Sequence, residues 1–301
     1  MGDWVRLRRD LLELGRVVVA FSGGADSSFL AWTANDVLGH RAHAVTAVSP
    51  SLAVAERRDC ALLAREWGLQ WSEVHTTEMQ RAAYVANNGD RCYWCKDALM
   101  EVVAPLAEAR SATVVLGVNT DDLGDHRPGQ QAAAERGAVF PLVNAGFSKA
   151  DVREWSKRLG LRTWDKPAAP CLASRIPYGT PVTLGALASV SDAEAALRNL
   201  GFGELRVRHY GELARIEVPD DRLNDVVAQR AAVVEAVRHA GYRYVTLDLE
   251  GLRSGNLNAA LTSGMGKGDG AALTSGMGKG DGAALASGTG KGQGSSAVGS
   301  C

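Results

Sequence analysis

No stretch of this 301-residue sequence is apolar for long enough to cross a membrane. Neither charge sign dominates: 33 Lys and Arg stand against 34 Asp and Glu, a net charge of −1, whereas a general nucleic-acid binder carries a basic field. The opening MGDWVRLRRDLLELG has charges throughout and reads as an amphipathic helix, not as a signal peptide. Arg6 also fails the myristoylation pattern. The expectation is a cytoplasmic chain with neither membrane nor nucleic acid as partner. Disulfides are rare in that compartment, so the five cysteines are expected to be core, catalytic or metal-bound. Two common phosphate loops are missing as well. The first strand is followed neither by a Walker loop with its Lys-Ser/Thr pair nor by G-x-G-x-x-G.

The segment after that strand is organised differently. In Arg16–Leu30, RVVVAFSGGADSSFL, residues Val17–Phe21 read as a short buried strand and Ser22–Ser28 as a glycine turn. Phe29, Leu30 and Trp32 then begin an apolar-periodic helix. A helix N-terminus offers unpaired amides and the positive end of the dipole, so it accepts anions. Gly23 and Gly24 let the backbone approach a phosphate, Ser22, Ser27 and Ser28 add hydroxyls, and Asp26 lies in the first turn. SGGADSS resembles the pyrophosphate loop of ATP pyrophosphatases, which bind ATP, transfer AMP to an oxygen and release pyrophosphate. The plain alternative is a serine-rich N-cap on an ordinary helix.

Strands are expected at 16–22, 42–49, 71–76 and 113–119, with helices at 26–38, 52–67 and 96–110. That alternation means an α/β fold with a parallel sheet covered on both faces. Ligands of such sheets sit at the carboxyl ends of the strands, where Gly24, Ser49 and Asn119 fall. Ser148-x-x-Asp151 is a capping-box-like start for a helix ending near Gly160. The expected organisation is a nucleotide-binding domain over 1–179 and a small α+β domain over 180–256. In the latter, a helix at 182–200, strands at 206–210 and 214–218, a helix at 221–239 and a strand at 242–249 are expected. Residues 257–301 hold LTSGMGKGDGAA twice, from Leu261 and from Leu273, then LASGTGKGQGSS from Leu285, a period of twelve with too few apolar residues to bury a core. They read as a disordered tail ending in Cys301.

Two segments carry further chemistry. LGVNTDDLGDHRPGQQAA, read as a loop, delivers Asn119, Asp121, Asp122, Asp125 and Arg127 to the nucleotide edge. Its carboxylates serve Mg²⁺ or form Asx turns, or both. Cys92 and Cys95 stand in RCYWCK at the head of a helix, and Cys171 in the proline-rich loop KPAAPCLASRIPYGTP. A redox pair, a zinc site short of one ligand, an iron–sulfur site and two unrelated cysteines are the open readings. Arg91, Lys96 and Lys166 would favour thiolates. Cys60, inside the helix at 52–67, is read as packing.

SGGADSS, RCYWCK, LGVNTDDLGDHRPG, WDKPAAPCLASRIPYG, RVRHYGELARIEV and YVTLDLEGLRSG occur in this order. Together they resemble the LarE family, ATP-dependent sulfur transferases that build the nickel-pincer nucleotide. The resemblance runs from about residue 17 to 256 and implies a Rossmann-like, adenine nucleotide alpha hydrolase-like first domain. It implies that ATP adenylylates a carboxylate of a pyridinium-3,5-dicarboxylate mononucleotide at Ser22–Ser28, and that sulfur displaces AMP. Cys171 matches the sulfur-donor region, Ser174 and Arg175 resemble substrate-contacting positions, and with Asp26 they form the expected catalytic group. A homo-hexamer is implied too. RNA-thiolating enzymes and ammonia-dependent ligases such as NAD synthetase share the loop; the former need an RNA surface, the latter need no cysteines. A non-catalytic nucleotide-binding module would leave the cysteines unexplained.

The hairpin and the source of sulfur give two further expectations. A turn at Gly211-Glu212 puts Tyr210 opposite Leu213, Arg208 opposite Arg215 and Arg206 opposite Glu217. Arg206–Glu217 then reads as a cross-strand ion pair. Facing arginines repel unless an anion lies between them, so Arg206, Arg208, Arg215 and Glu217, with Asp122 and Arg127, are assigned to substrate. The alternative is that both arginines snorkel into water. The sulfur comes either from Cys171 itself, leaving dehydroalanine, or from a sulfide on a [4Fe–4S] cluster held by Cys92, Cys95 and Cys171. The number of cysteines favours the cluster. ATP, Mg²⁺ and this cluster are the expected cofactors.

Overall fold

The structure, a computed structural model, describes residues 2–124 and 128–253. Asp125, Arg127, the repeats and Cys301 lie outside the described residues. In chain order, α1 (Trp4–Leu14), β1 (Val17–Ala20), α2 (Ala25–Leu38), β2 (Ala42–Val48), α3 (Val54–Glu66) and β3 (Gln70–His75) come first. Next are α4 (Ala82–Val85), α5 (Arg91–Glu108), β4 (Thr113–Leu116), α6 (Pro128–Glu135), α7 (Pro141–Asn144) and α8 (Lys149–Arg158). The second half holds α9 (Leu184–Asn199), β5 (Arg206–Tyr210), β6 (Leu213–Glu217), α10 (Leu223–Ala228), α11 (Arg230–His239) and β7 (Tyr244–Leu247). No helix among the described residues is long and apolar enough to cross a membrane.

The protein is α/β, as expected. Its first sheet runs β3-β2-β1-β4 with every pairing parallel. Successive residues of β1 serve opposite faces, which is why the strand is a run of valines. Val17 and Val19 pack in one layer with Phe29, Leu30, Leu63 and Phe147, while Val18 packs in the other with Val45, Leu99, Met100 and Val103. The chain leaves β1 toward β2 on one side and meets β4 on the other. The carboxyl end of β1 is therefore the switch point where such sheets bind ligands. Cys60 is fully buried in the first layer, as its packing role requires.

The second sheet runs β5-β6-β7, antiparallel and then parallel. The hairpin register is the expected one, Arg206 opposite Glu217, Arg208 opposite Arg215 and Tyr210 opposite Leu213. Val207, Ala214 and Ile216 face a core shared with Ala193 and Leu197 of α9 and Val233 and Val237 of α11. The start of α9 packs elsewhere: Ala186, Leu187 and Val190 join Tyr84, Leu172, Ala173 and Ile176. The helix thus joins the small sheet to the segment around Cys171.

Several boundaries differ from expectation for identifiable reasons. β4 stops at Leu116 because Gly117 passes hard against the first turn of α2. α5 begins at Arg91 and takes both Cys92 and Cys95 into the helix; Trp94 Nε1 donates to Asp90 at 2.8 Å across its start. The second half of the expected acidic loop is α6, entered by Pro128 at its first position, where a missing N–H costs nothing. The helix expected over 221–239 divides at Gln229 into α10 and α11, after a 3-10 turn over Asp220–Arg222. α8 starts with the full capping box, Ser148 and Asp151 each accepting the other's amide at 3.1 and 3.0 Å.

Candidate functional site

The turn after β1 is built to leave amides open. Gly23 has φ +70°, and a β-carbon there would stand 2.9 Å from Cys60 Sγ. Gly24 is the N-cap of α2 but provides no side-chain cap. The amides of Gly24, Ala25 and Asp26 donate to no acceptor among the described residues. Ser27 braces the turn from within: its Oγ donates to the Gly24 carbonyl at 3.2 Å and accepts from the Ser22 amide at 3.2 Å. Ser28 is fully buried, and its Oγ has no partner among the described residues. A half-buried helix start with open amides is a place for an anion.

The segment after β4 closes the turn from one side. Asn119 Nδ2 donates to Asp26 at 3.3 Å, and Lys149 Nζ pairs with Asp26 at 2.5 Å. Asn119 Oδ1 accepts the Asp121 amide at 3.0 Å, the expected Asx turn. Asp122 accepts the Asn119 amide at 3.1 Å and Asp121 accepts that of Lys149 at 2.9 Å. Nothing in the sequence around Lys149 points to Asp26. The link exists only because α8 packs on α2.

The Cys171 segment stands past the end of the neighbouring strand, β2. Cys171 caps a 3-10 turn over Leu172–Arg175, and the Leu172 amide donates to the Ser51 carbonyl at 2.8 Å, just past the end of β2. Buried guanidinium groups hold the segment's carbonyls. Arg91 donates to Ala173 at 2.9 Å, Arg175 to Pro170 at 2.7 Å, and Arg208 to Ser174 at 2.9 Å. Arg175 is itself fixed by fully buried Glu194 at 2.8 Å, and its Nη1 also donates to Ser174 Oγ at 3.0 Å.

Charges sort differently from expectation in two places. The anion between the facing arginines is the protein's own Glu217. It is 0% exposed and takes Arg208 through two bonds of 2.7 and 2.9 Å, with Arg215 at 3.2 Å. The register puts Arg206 opposite Glu217, yet its guanidinium donates to the Arg253 carbonyl at 3.0 Å. Burial, then Arg208 and Arg175, push its pKa below the usual arginine value. Lys166 does not serve the three thiols. It bonds the Gly23 carbonyl at 3.1 Å, Glu56 at 2.8 Å and Asp59 at 2.7 Å.

Cys92 is exposed, and Cys95 and Cys171 are half-buried. Arg91 lies within electrostatic reach of Cys171 and Cys92, and Lys96 of Cys95. Burial still pushes the Cys95 thiol up to about 12. Three thiols from α5 and the 171 segment suit a thiolate-held cluster in donor chemistry. As placed, they are not drawn into a ligand set: among the described residues no three His, Cys, Asp or Glu stand ready to hold a metal ion.

These features define an α/β protein with an open helix start and a guanidinium-clamped cysteine segment at the carboxyl ends of two adjacent parallel strands. No family model matches the chain. Individual proteins do. An uncharacterized protein of Synechocystis is 47% identical over 259 residues, 85% of this chain and 97% of its own. The pyridinium-3,5-bisthiocarboxylic acid mononucleotide synthase of Lactiplantibacillus plantarum is 38% identical over 254 residues, 84% of this chain and 92% of its own. An uncharacterized protein of Methanocaldococcus jannaschii is 26% identical over 254 residues, 83% of this chain and 97% of its own. The chain belongs to the LarE family.

Proposed function

We propose that this protein is an ATP-dependent sulfur transferase acting on pyridinium-3,5-biscarboxylic acid mononucleotide, in the cytoplasm and as a homo-oligomer, with a hexamer expected from the family. The observation that carries the reading is the meeting of three segments on one sheet edge. The open amides of Gly24–Asp26, the acidic turn at Asn119–Asp122 and the Cys171 segment all lie there. The synthase name of the Lactiplantibacillus relative supports the substrate class.

The chemistry needs two displacements. A substrate carboxylate oxygen attacks the α-phosphorus of ATP, and pyrophosphate leaves. A sulfur nucleophile then attacks the acyl carbon and AMP leaves, so one oxygen is exchanged for one sulfur. Ser22–Ser28 would hold the phosphates. Asp26 and Asp122 would carry Mg²⁺, and Arg127 is kept as a substrate residue on the family resemblance alone. Arg206 is buried and donates to the Arg253 carbonyl, and burial with Arg208 and Arg175 outweighs Glu217 and Glu204 around it, so it suits a substrate anion; Arg208, Arg215 and Glu217 would support it. Cys171, with Ser174 and Arg175, is the sulfur-side group. Cys92, Cys95 and Cys171 would hold the [4Fe–4S] cluster, which supplies a sulfide when bound.

The test is AMP and pyrophosphate release from ATP with this mononucleotide, together with the mass gain of an oxygen-to-sulfur exchange. Asp26→Ala and Ser27→Ala should abolish release without unfolding the protein. Equal release with either variant, or release that needs tRNA instead, ends the proposal.

A further inference from the structure

Lys166 stands five residues before Cys171, in KPAAPC, yet its side chain turns back to the glycine turn. An ammonium has three protons. Here three acceptors lie within bonding distance: the Gly23 carbonyl at 3.1 Å, Glu56 Oε2 at 2.8 Å and Asp59 Oδ2 at 2.7 Å. Burial works against the charge, but the bonds to Asp59 and Glu56 outweigh it, and the lysine is held charged above its ordinary pKa. Such an ammonium has no proton left for a phosphate. Its effect falls on the peptide it grips.

A trans peptide points its C=O and its N–H in opposite directions. With the Gly23 carbonyl drawn toward α3, the Gly24 N–H points away from it, toward the open start of α2. Between two glycines no β-carbon opposes a flip of that peptide. A flipped peptide would put a carbonyl dipole where an anion must sit. We infer that Lys166 is a positioning residue for the nucleotide: by gripping the Gly23 carbonyl it keeps the Gly24 amide aimed at the phosphates. It also ties that geometry to the sulfur-side segment, since five residues reach at most about 17 Å from Lys166 to Cys171. The inference rests on the reading of Ser22–Ser28 as the ATP turn.

Calorimetric titration with ATP, beside a thermal melt of each protein, tests it. Lys166→Met should weaken ATP binding about tenfold, the scale of a lost charge-assisted hydrogen bond. Lys166→Arg, which keeps a donor within reach of Gly23, should recover most of that loss. Glu56→Gln removes one ion pair but leaves the grip, and should stay within about twofold of the parent. Unchanged affinity in Lys166→Met, or an equal loss in Glu56→Gln, overturns the inference while the ATP reading stands. A parent protein that binds no ATP removes that reading, and this inference with it.

Discussion

Gly117 lies so close beneath the first turn of α2 that a β-carbon on it would stand 2.7 Å from the Ser27 amide nitrogen and 2.8 Å from the Asp26 carbonyl carbon. The neighbours are backbone and cannot rotate aside. Gly117→Ala must therefore displace the helix start itself. The expected cost is about 1–3 kcal/mol in urea unfolding, with ATP affinity falling well beyond what Gly137→Ala or any distant glycine change produces. A Gly117→Ala protein with parental ATP affinity would show that the start of α2 is not where the nucleotide binds.

Gly23→Ala faces two separate obstacles, the left-handed φ of +70° and the Cys60 Sγ at 2.9 Å. Cys60→Ala removes the second and not the first. In a double-mutant cycle, Cys60→Ala should recover part of the Gly23→Ala destabilisation, about 0.5–3 kcal/mol of coupling. Additive effects would mean the sulfur moves aside freely.

Arg208 and Glu217 form a buried pair, 4% and 0% exposed in their side chains. Arg208→Met should cost about 3–5 kcal/mol, because the fully buried carboxylate loses the two bonds of its buried guanidinium partner. Arg208→Met with Glu217→Leu should cost less than Arg208→Met alone. A single variant that unfolds at the parental urea concentration but raises the substrate KM would return Arg208 to the substrate.

The Lys166–Asp59 contact sets a pH window. Burial opposes the Asp59 charge, but hydrogen bonds from Lys166 and Arg162 outweigh it and hold the carboxyl below its ordinary pKa. A depressed carboxylate stabilises above its unfolded pKa of about 3.9 and loses that contribution as pH falls through the folded value. Lys166, raised, stabilises below about 10.4 and loses its contribution as pH rises through its folded value. The unfolding difference between parent and Lys166→Met should be level from about pH 5 to pH 9 and shrink in acid. A difference that persists into strong acid would mean that the lysine's stem, not its charge, matters.

The first strand, turn and helix are legible because an unbroken apolar run, Val17–Ala20, stops at the glycines and an apolar-periodic helix opens with Phe29, Leu30 and Trp32. The hairpin register is legible because Gly211-Glu212 leaves few ways to turn. The start of α5 is not, since RCYWCK has no apolar spacing and its hold comes from Asp90 through Trp94. Nor is the fate of Glu217. Opposition across the strands names Arg206, but a long guanidinium reaches diagonally, and Arg208 takes the carboxylate. The contacts of Lys149 with Asp26 and of Lys166 with Gly23 span 123 and 143 residues. Local pattern carries no trace of them.

The second of these contacts bears on how the protein is made. A ribosome adding about 5–20 residues per second finishes the glycine turn roughly 7–30 s before it reaches Lys166. Through that interval the nascent chain holds a turn whose Gly23 carbonyl still lacks its ammonium, and a Ser51 carbonyl still waiting for the Leu172 amide. A chain stalled before position 166 can pair all four parallel strands and still lack the brace on its nucleotide turn. The arrival of Lys166 is what completes that brace, and Leu172 follows six residues later.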